Sequence, residues 1–202
     1  MTSILKVDQL QDSGGNAIIT SDGAGSITTA SGLNTAITNA GFATTNGITQ
    51  ADMWRLTSTL TLTNSLTDIT SNLERVDDNG FGAIGTGMTE SSGIFTFPST
   101  GVYLIKANFT GEDGSNTPQY ILGNIATTTN NSSYVTNSRS HSTVATTGDA
   151  FGFSVDTMFN VTNTTTHKVK FQYESASATT IFYGNTTNSY TYFQFIRLGD
   201  SV

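Results

Sequence analysis

Gly93-Ile-Phe-Thr-Phe-Pro-Ser-Thr-Gly-Val-Tyr-Leu-Ile-Lys-Ala-Asn-Phe-Thr110 is the stretch whose reading decides the fold. Two apolar runs flank a short turn carrying Pro98, Ser99 and Gly101, the punctuation expected between a pair of strands. On the second run Tyr103, Ile105, Ala107 and Phe109 fall on one face, with Lys106 and Asn108 on the other. A period of two belongs to a strand with one face against a core.

The pattern continues on both sides. Trp54, Leu56, Leu60 and Leu62 share a face, opposite Arg55, Thr57, Thr59, Thr61 and Thr63. Phe151, Phe153, Val155, Phe159 and Val161 alternate next, and Val169, Phe171 and Tyr173 alternate against Lys168, Lys170, Gln172 and Glu174. The last run, with Tyr190, Tyr192, Phe193, Phe195 and Ile196, is apolar on both faces, which suits a central strand or a subunit contact. Many strands separated by turn residues predict an all-β sandwich or jelly roll over 52–202.

Upstream the chain changes character. Residues 1–30 read as short strands separated by turns at Asp12–Asn16 and Asp22–Ser26. Ile4, Leu5, Val7, Leu10, Ile18 and Ile19 are the candidate anchoring residues there, and the segment has too few apolar side chains to bury a core. The segment is expected to order against copies of itself or a larger assembly. In the linker, 31–51, Leu33, Ala36, Ile37 and Ala40 have the spacing of one helix face, and Gly41 would stop it.

Composition narrows the function. Charged residues make up 11% of the chain, against roughly 25% in an average domain, so Thr, Ser and Asn must carry solubility. With a net charge of −7 and 8 Lys plus Arg scattered singly, neither nucleic acid nor an anionic membrane is an expected partner. The start of the chain has no apolar signal core, because Lys6 and Asp8 interrupt it, and no run has the length of a membrane span. A cysteine-free, Thr/Ser/Asn-coated β protein made in a cytoplasm fits a virus particle released by lysis.

Gly93, Phe95, Pro98, Gly101 and Tyr103 resemble the central motif of the globular head of complement's first component, whose jelly roll is shared with tumour necrosis factor. The closing run Tyr192-Phe-Gln-Phe-Ile-Arg-Leu198 and the glycine-rich Asn79-Gly-Phe-Gly-Ala-Ile-Gly85 are similar to further parts of that family. Thr166-His-Lys-Val169 departs from it, standing where the family carries Gly-Asp and an apolar residue. The resemblance implies a trimer built around aromatic side chains, with ligand binding by exposed loops. Met1 to Asn16 resembles the amino-terminal segment of structural proteins of marine tailed phages, cyanophages in particular, which implies an anchor onto the virion.

Little in the sequence suggests catalysis. Without Cys, and with His141 and His167 as the histidines, a His/Cys metal cluster is impossible, and both imidazoles are expected at the surface. Phosphate-loop, dinucleotide and nucleophile-elbow motifs do not occur. Asp77-Asp78-Asn79-Gly80 and Glu112-Asp113-Gly114-Ser115-Asn116 carry oxygen ligands suited to Ca²⁺, yet neither follows the helix-flanked calcium loop, and both read as turns. The Asn-x-Ser/Thr triplets at Asn108, Asn131, Asn160 and Asn185 are expected to stay bare.

Tyr103, Phe153, Phe171, Tyr173, Tyr192, Phe193 and Phe195 are assigned to the core or to a three-fold contact. Tyr134, among Asn and Ser, is the candidate for ligand contact from an exposed loop. The expectation is a non-enzymatic phage virion protein without cofactor, a homotrimer on the particle exterior. It would be a short fibre or capsid decoration, docked to other virion proteins through residues 1–30 and contacting host-surface glycan or protein. A soluble carbohydrate-binding or signalling module of cellular origin is the alternative, with a glycan hydrolase behind it.

Overall fold

The computed structural model describes residues 8–24, 27–30, 33, 47–78 and 80–202. The chain divides into two units, Met1–Gly47 and Ile48–Val202. In the first, β1 (Gln9–Gln11), β2 (Ala17–Ser21) and β3 (Ile27–Thr29) form a three-stranded sheet in the order β1-β2-β3. Asp12 builds the first turn, its Oδ1 accepting from the backbone N–H of Gly14 at 2.8 Å and of Asn16 at 2.9 Å. The bonds from Asn16 hold the Asp12 carboxyl below its ordinary pKa. Leu10 is exposed, and Ile18 and Ile19 are half-buried. Ile4, Leu5 and Val7 lie outside the described residues, as do Ala36, Ile37 and Ala40 of the linker; Leu33 is helical.

The second unit is a sandwich. Its first sheet contains β4 (Ala51–Leu56), β5 (Leu60–Thr61), β7 (Leu73–Arg75), β10 (Gly101–Asp113), β13 (Ala150–Val161), β15 (Thr180–Phe182) and β16 (Tyr192–Gly199). They run β5-β15-β10-β16-β4-β7, β15 and β16 pairing with successive stretches of one edge of β10 and β13 with its other edge. The second sheet holds β6 (Thr67–Asp68), β8 (Thr89–Ser91), β9 (Ile94–Thr96), β11 (Ile121–Thr128), β12 (Val135–Ser142) and β14 (Lys168–Ser175), in the order β12-β11-β14-β9-β8 with β6 on β14.

The long strand β10 alternates strictly between buried and half-buried residues, as its sequence requires. One correction concerns its neighbour. The runs on either side of Pro98 do not pair with each other: β9 pairs with β8 and β14, while β10 pairs with β13, β15 and β16. The Pro98–Gly101 turn carries the chain from one sheet to the other, so both runs face the same core from opposite sides. That core joins Phe95, Phe97, Tyr103, Ile105, Phe109, Phe171, Phe193 and Phe195. At its centre Phe171 stacks on Phe193 with ring centroids 4.0 Å apart. Each such ring contributes about 1.5–3 kcal/mol through burial alone, and among the described residues the core cluster lies wholly in this unit.

Candidate interaction surfaces

The outward faces of the two sheets differ in chemistry. On the first sheet, register places Ala51, Ile196, Leu104 and Met158 opposite one another across β4, β16, β10 and β13. All alternate with inward residues, so they form an apolar row on the outer face. Met158, at the β13 end, is 68% exposed. At the β4 end a cleft of about 120 Å³ opens, lined in part by Met53, Phe81, Gln194 and Ile196. In the adjacent row Lys106 and Asp156 stand opposite each other on β10 and β13, and no ion pair joins them among the described residues.

The second sheet presents a polar outer face. Tyr120 donates to Glu174 Oε1 at 2.6 Å, Arg139 Nε to Asn124 Oδ1 at 2.9 Å, and Gln172 Nε2 to Asp68 Oδ1 at 2.7 Å. Lys170 pairs with Asp68 at 2.7 Å, and its Nζ lies 4.4 Å from the centre of the Tyr134 ring. Tyr134 is therefore not the free loop residue its sequence context suggests. It is half-buried, its hydroxyl has no hydrogen-bond partner, and burial and the charge of Asp68 raise its pKa. The cation–π contact with Lys170, 36 positions further along the chain, is what draws it down.

The aromatic candidates separate cleanly. Tyr103, Phe171, Tyr173, Phe193 and Phe195 are buried within one chain, and Phe153 packs against them half-buried. Tyr192 lies half-buried on the outer face, opposite Arg55 and Asn108. Of the group, Tyr192 and part of Phe153 remain open to a subunit contact. The rest are core.

Arg55 overturns its sequence reading. It stands in the outward row of β4, yet its side chain is fully buried. Nε meets Glu74 Oε1 at 2.8 Å and Nη2 meets Asp77 Oδ1 at 3.0 Å, while Nη1 pairs with Asp78 and Nη2 also donates to the Thr186 carbonyl. Burial alone would pull its pKa down, but bonds to Asp78 and Glu74 outweigh that and hold it above the ordinary value. Asp77 and Asp78, candidates for calcium, are thus committed to a guanidinium. Sequence periodicity gave no sign of this, because the partners come from other segments.

His167 is likewise buried, its ring 5.6 Å from that of Phe159 and its nitrogens 3.2 Å from Thr162 Oγ1 and Thr166 Oγ1. His141 is exposed on β12, as expected. Glu112 accepts from Tyr183 at 2.6 Å, whereas Asp113 is fully buried. Among the described residues no three His, Cys, Asp or Glu side chains gather as a metal cluster, and no helix is long and apolar enough to cross a membrane.

No family profile and no curated protein matches the chain. Solved structures do. Murine APRIL at pH 5.0 aligns over 74% of this chain and 98% of its own, with TM-score 0.55 and 11% identity. Eiger TNF from S. frugiperda aligns over 77% and 96%, with TM-score 0.57 and 10% identity. The fold is a tumour-necrosis-factor-like jelly roll. PRD1 vertex protein P5 aligns over 76% of this chain and all of its own at TM-score 0.49 and 17% identity. At these identities the likeness to APRIL and Eiger establishes architecture alone.

Proposed function

We propose that this chain is a non-catalytic structural protein of a phage particle, with a homotrimeric jelly-roll head displayed outward as a short fibre or capsid decoration. The observation that carries the assembly is the apolar row on the first sheet. It ends in an exposed knob, Met158, on β13 and in a cleft beside Met53 and Ile196 on β4. A knob and a cleft at opposite ends of one face make a head-to-tail contact, which closes into a ring when the rotation suits. A ring of three matches the trimer implied by the sequence motif. Lys106 and Asp156 then meet opposite charges on the neighbouring copy. Residues 1–30, with their phage-like opening, dock the head to other virion proteins, and the outer loops contact host-surface glycan or protein.

Light scattering on the full chain tests the assembly. The wild type should weigh three copies, and Leu104→Glu combined with Met158→Glu should give a folded monomer by circular dichroism. A monomeric wild type at micromolar concentration overturns the assembly. Deleting residues 1–30 should abolish incorporation into particles while leaving the mass of the head assembly unchanged.

A further inference from the structure

Asp113 closes β10 on its inward face, with no exposed surface, opposite Thr180 of β15. Thr179 Oγ1 and Thr180 Oγ1 each lie 3.4 Å from its Oδ1, and its Oδ2 has no hydrogen-bond partner. Behind these hydroxyls stand Ser175 Oγ, 2.9 Å from Thr180 Oγ1, and Ser177 Oγ, 2.9 Å from Thr179 Oγ1. Backbone bonds hold the cluster together: Asp113 N–H donates to the Asp149 carbonyl at 3.2 Å, Gly148 N–H to the Asp113 carbonyl at 2.8 Å, and Gly114 N–H to the Thr179 carbonyl at 3.2 Å.

An ionised carboxylate taken out of water is costly unless it is paired or fully hydrogen-bonded. A hydroxyl solvates a carboxylate well at about 2.5–2.7 Å, and 3.4 Å falls far outside that range. The spacing has another meaning. Oxygens bound to one cation at about 2.4 Å sit about 3.4 Å apart along an octahedral edge and about 2.8 Å apart around a pentagon. The 3.4 Å spacing is the one between Asp113 Oδ1 and each threonine hydroxyl, whereas the 2.9 Å pairs are hydrogen bonds between hydroxyls.

We infer that Asp113, with the hydroxyls of Thr179 and Thr180, forms a buried site for a hard divalent cation such as Ca²⁺. The threonines are oriented by Ser175 and Ser177, which themselves accept from the backbone N–H of Ser177 at 3.1 Å and of Thr179 at 3.3 Å. The carboxylate binds through both oxygens, and the hydroxyls turn lone pairs inward. With a single carboxylate the charge is low, which places the affinity at the weak end, about 10⁻⁴–10⁻³ M. This site is independent of the assembly proposed above.

The test is thermal unfolding of the chelator-treated full chain against CaCl₂ at constant ionic strength, with MgCl₂ and NaCl as comparison arms. At ten times the dissociation constant the wild-type Tm should rise by about 3–6 °C. Asp113→Asn should lose that rise, and Asp77→Asn, at the exposed acid, should keep it. If Asp113→Asn does not fold, Thr180→Val removes one ligand oxygen at nearly constant shape and should weaken the response. A wild type indifferent to Ca²⁺ overturns the site. So does an equal rise in every variant, or a rise given in full by NaCl.

Discussion

Replacing Arg55 by Met keeps most of the side-chain volume and removes the charge that Glu74, Asp77, Asp78 and the Thr186 carbonyl share. Removing one partner of a buried ion pair costs about 3–5 kcal/mol, because the remaining charge is stranded. Here the acids recover some hydration: Glu74 is 30% exposed, Asp78 37% and Asp77 80%. That moves the loss to the lower end, about 3 kcal/mol, to which a carbonyl left unpaired adds about 1 kcal/mol. For a unit of this size each kcal/mol shifts Tm by about 2–4 °C, so a fall of roughly 8–16 °C is expected. Urea unfolding at constant protein concentration, followed by the fluorescence of Trp54, reads the same change. Trp54 is the chain's single tryptophan and packs edge-on against Phe95 in the core. Asp77→Asn serves as the internal control and should cost less than about 0.5 kcal/mol, as an exposed pair does. If Arg55→Met lies within about 0.5 kcal/mol of wild type, or if Asp77→Asn costs as much, the buried-clamp reasoning is wrong.

Gly93 has φ +81°, and an added Cβ would collide with the Ile69 carbonyl oxygen. Gly93→Ala should therefore cost about 2–4 kcal/mol by denaturation, while Gly148→Ala, at φ +83° with open space around it, should cost only about 1 kcal/mol. Equal losses would mean the collision is relieved without cost. The hydrogen bond to Glu112 pushes the Tyr183 pKa up to about 12. A phenol raised above its unfolded value of about 10 stabilises the fold fully below that pH and loses the contribution as pH rises through about 12. Ultraviolet titration should show several late-ionising tyrosines, of which Tyr183→Phe removes the one near pH 12, and an unchanged profile would refute the assignment. Phe171→Ala removes one ring of the central stack and should cost about 3–5 kcal/mol. A loss under about 1 kcal/mol would place the core elsewhere.

What the sequence made legible follows from how local each determinant is. The period of two along β10 and β14 is written in consecutive residues and governed by the pleat, so both strands and their buried faces could be read directly. The same rule misled at Arg55, where the outward row of β4 is covered by acids and a carbonyl from 74–78 and from Thr186. Local composition misled in its turn at Tyr134, where a Ser/Asn-rich loop folds onto Lys170, and at His167, where a turn packs an imidazole onto Phe159. Pairing was also invisible around Pro98, since a turn that joins strands of one sheet and one that crosses between sheets use the same residues.

The candidate surfaces show the division more sharply. Each apolar residue of the outer row, Ala51, Leu104, Met158 and Ile196, was visible alone, but each lies in a different strand and signals nothing by itself. Only register brings them into one line, and register depends on pairings between residues that are about 50 to 150 positions apart. Asp113 makes the same point from the opposite direction. Its Glu-Asp-Gly-Ser context is ordinary turn chemistry, and it becomes a candidate ligand only when the 175–180 hydroxyls arrive from the far side of the chain. A jelly roll assembles its surfaces from distant strands, so its sequence reveals the core before it reveals any one face.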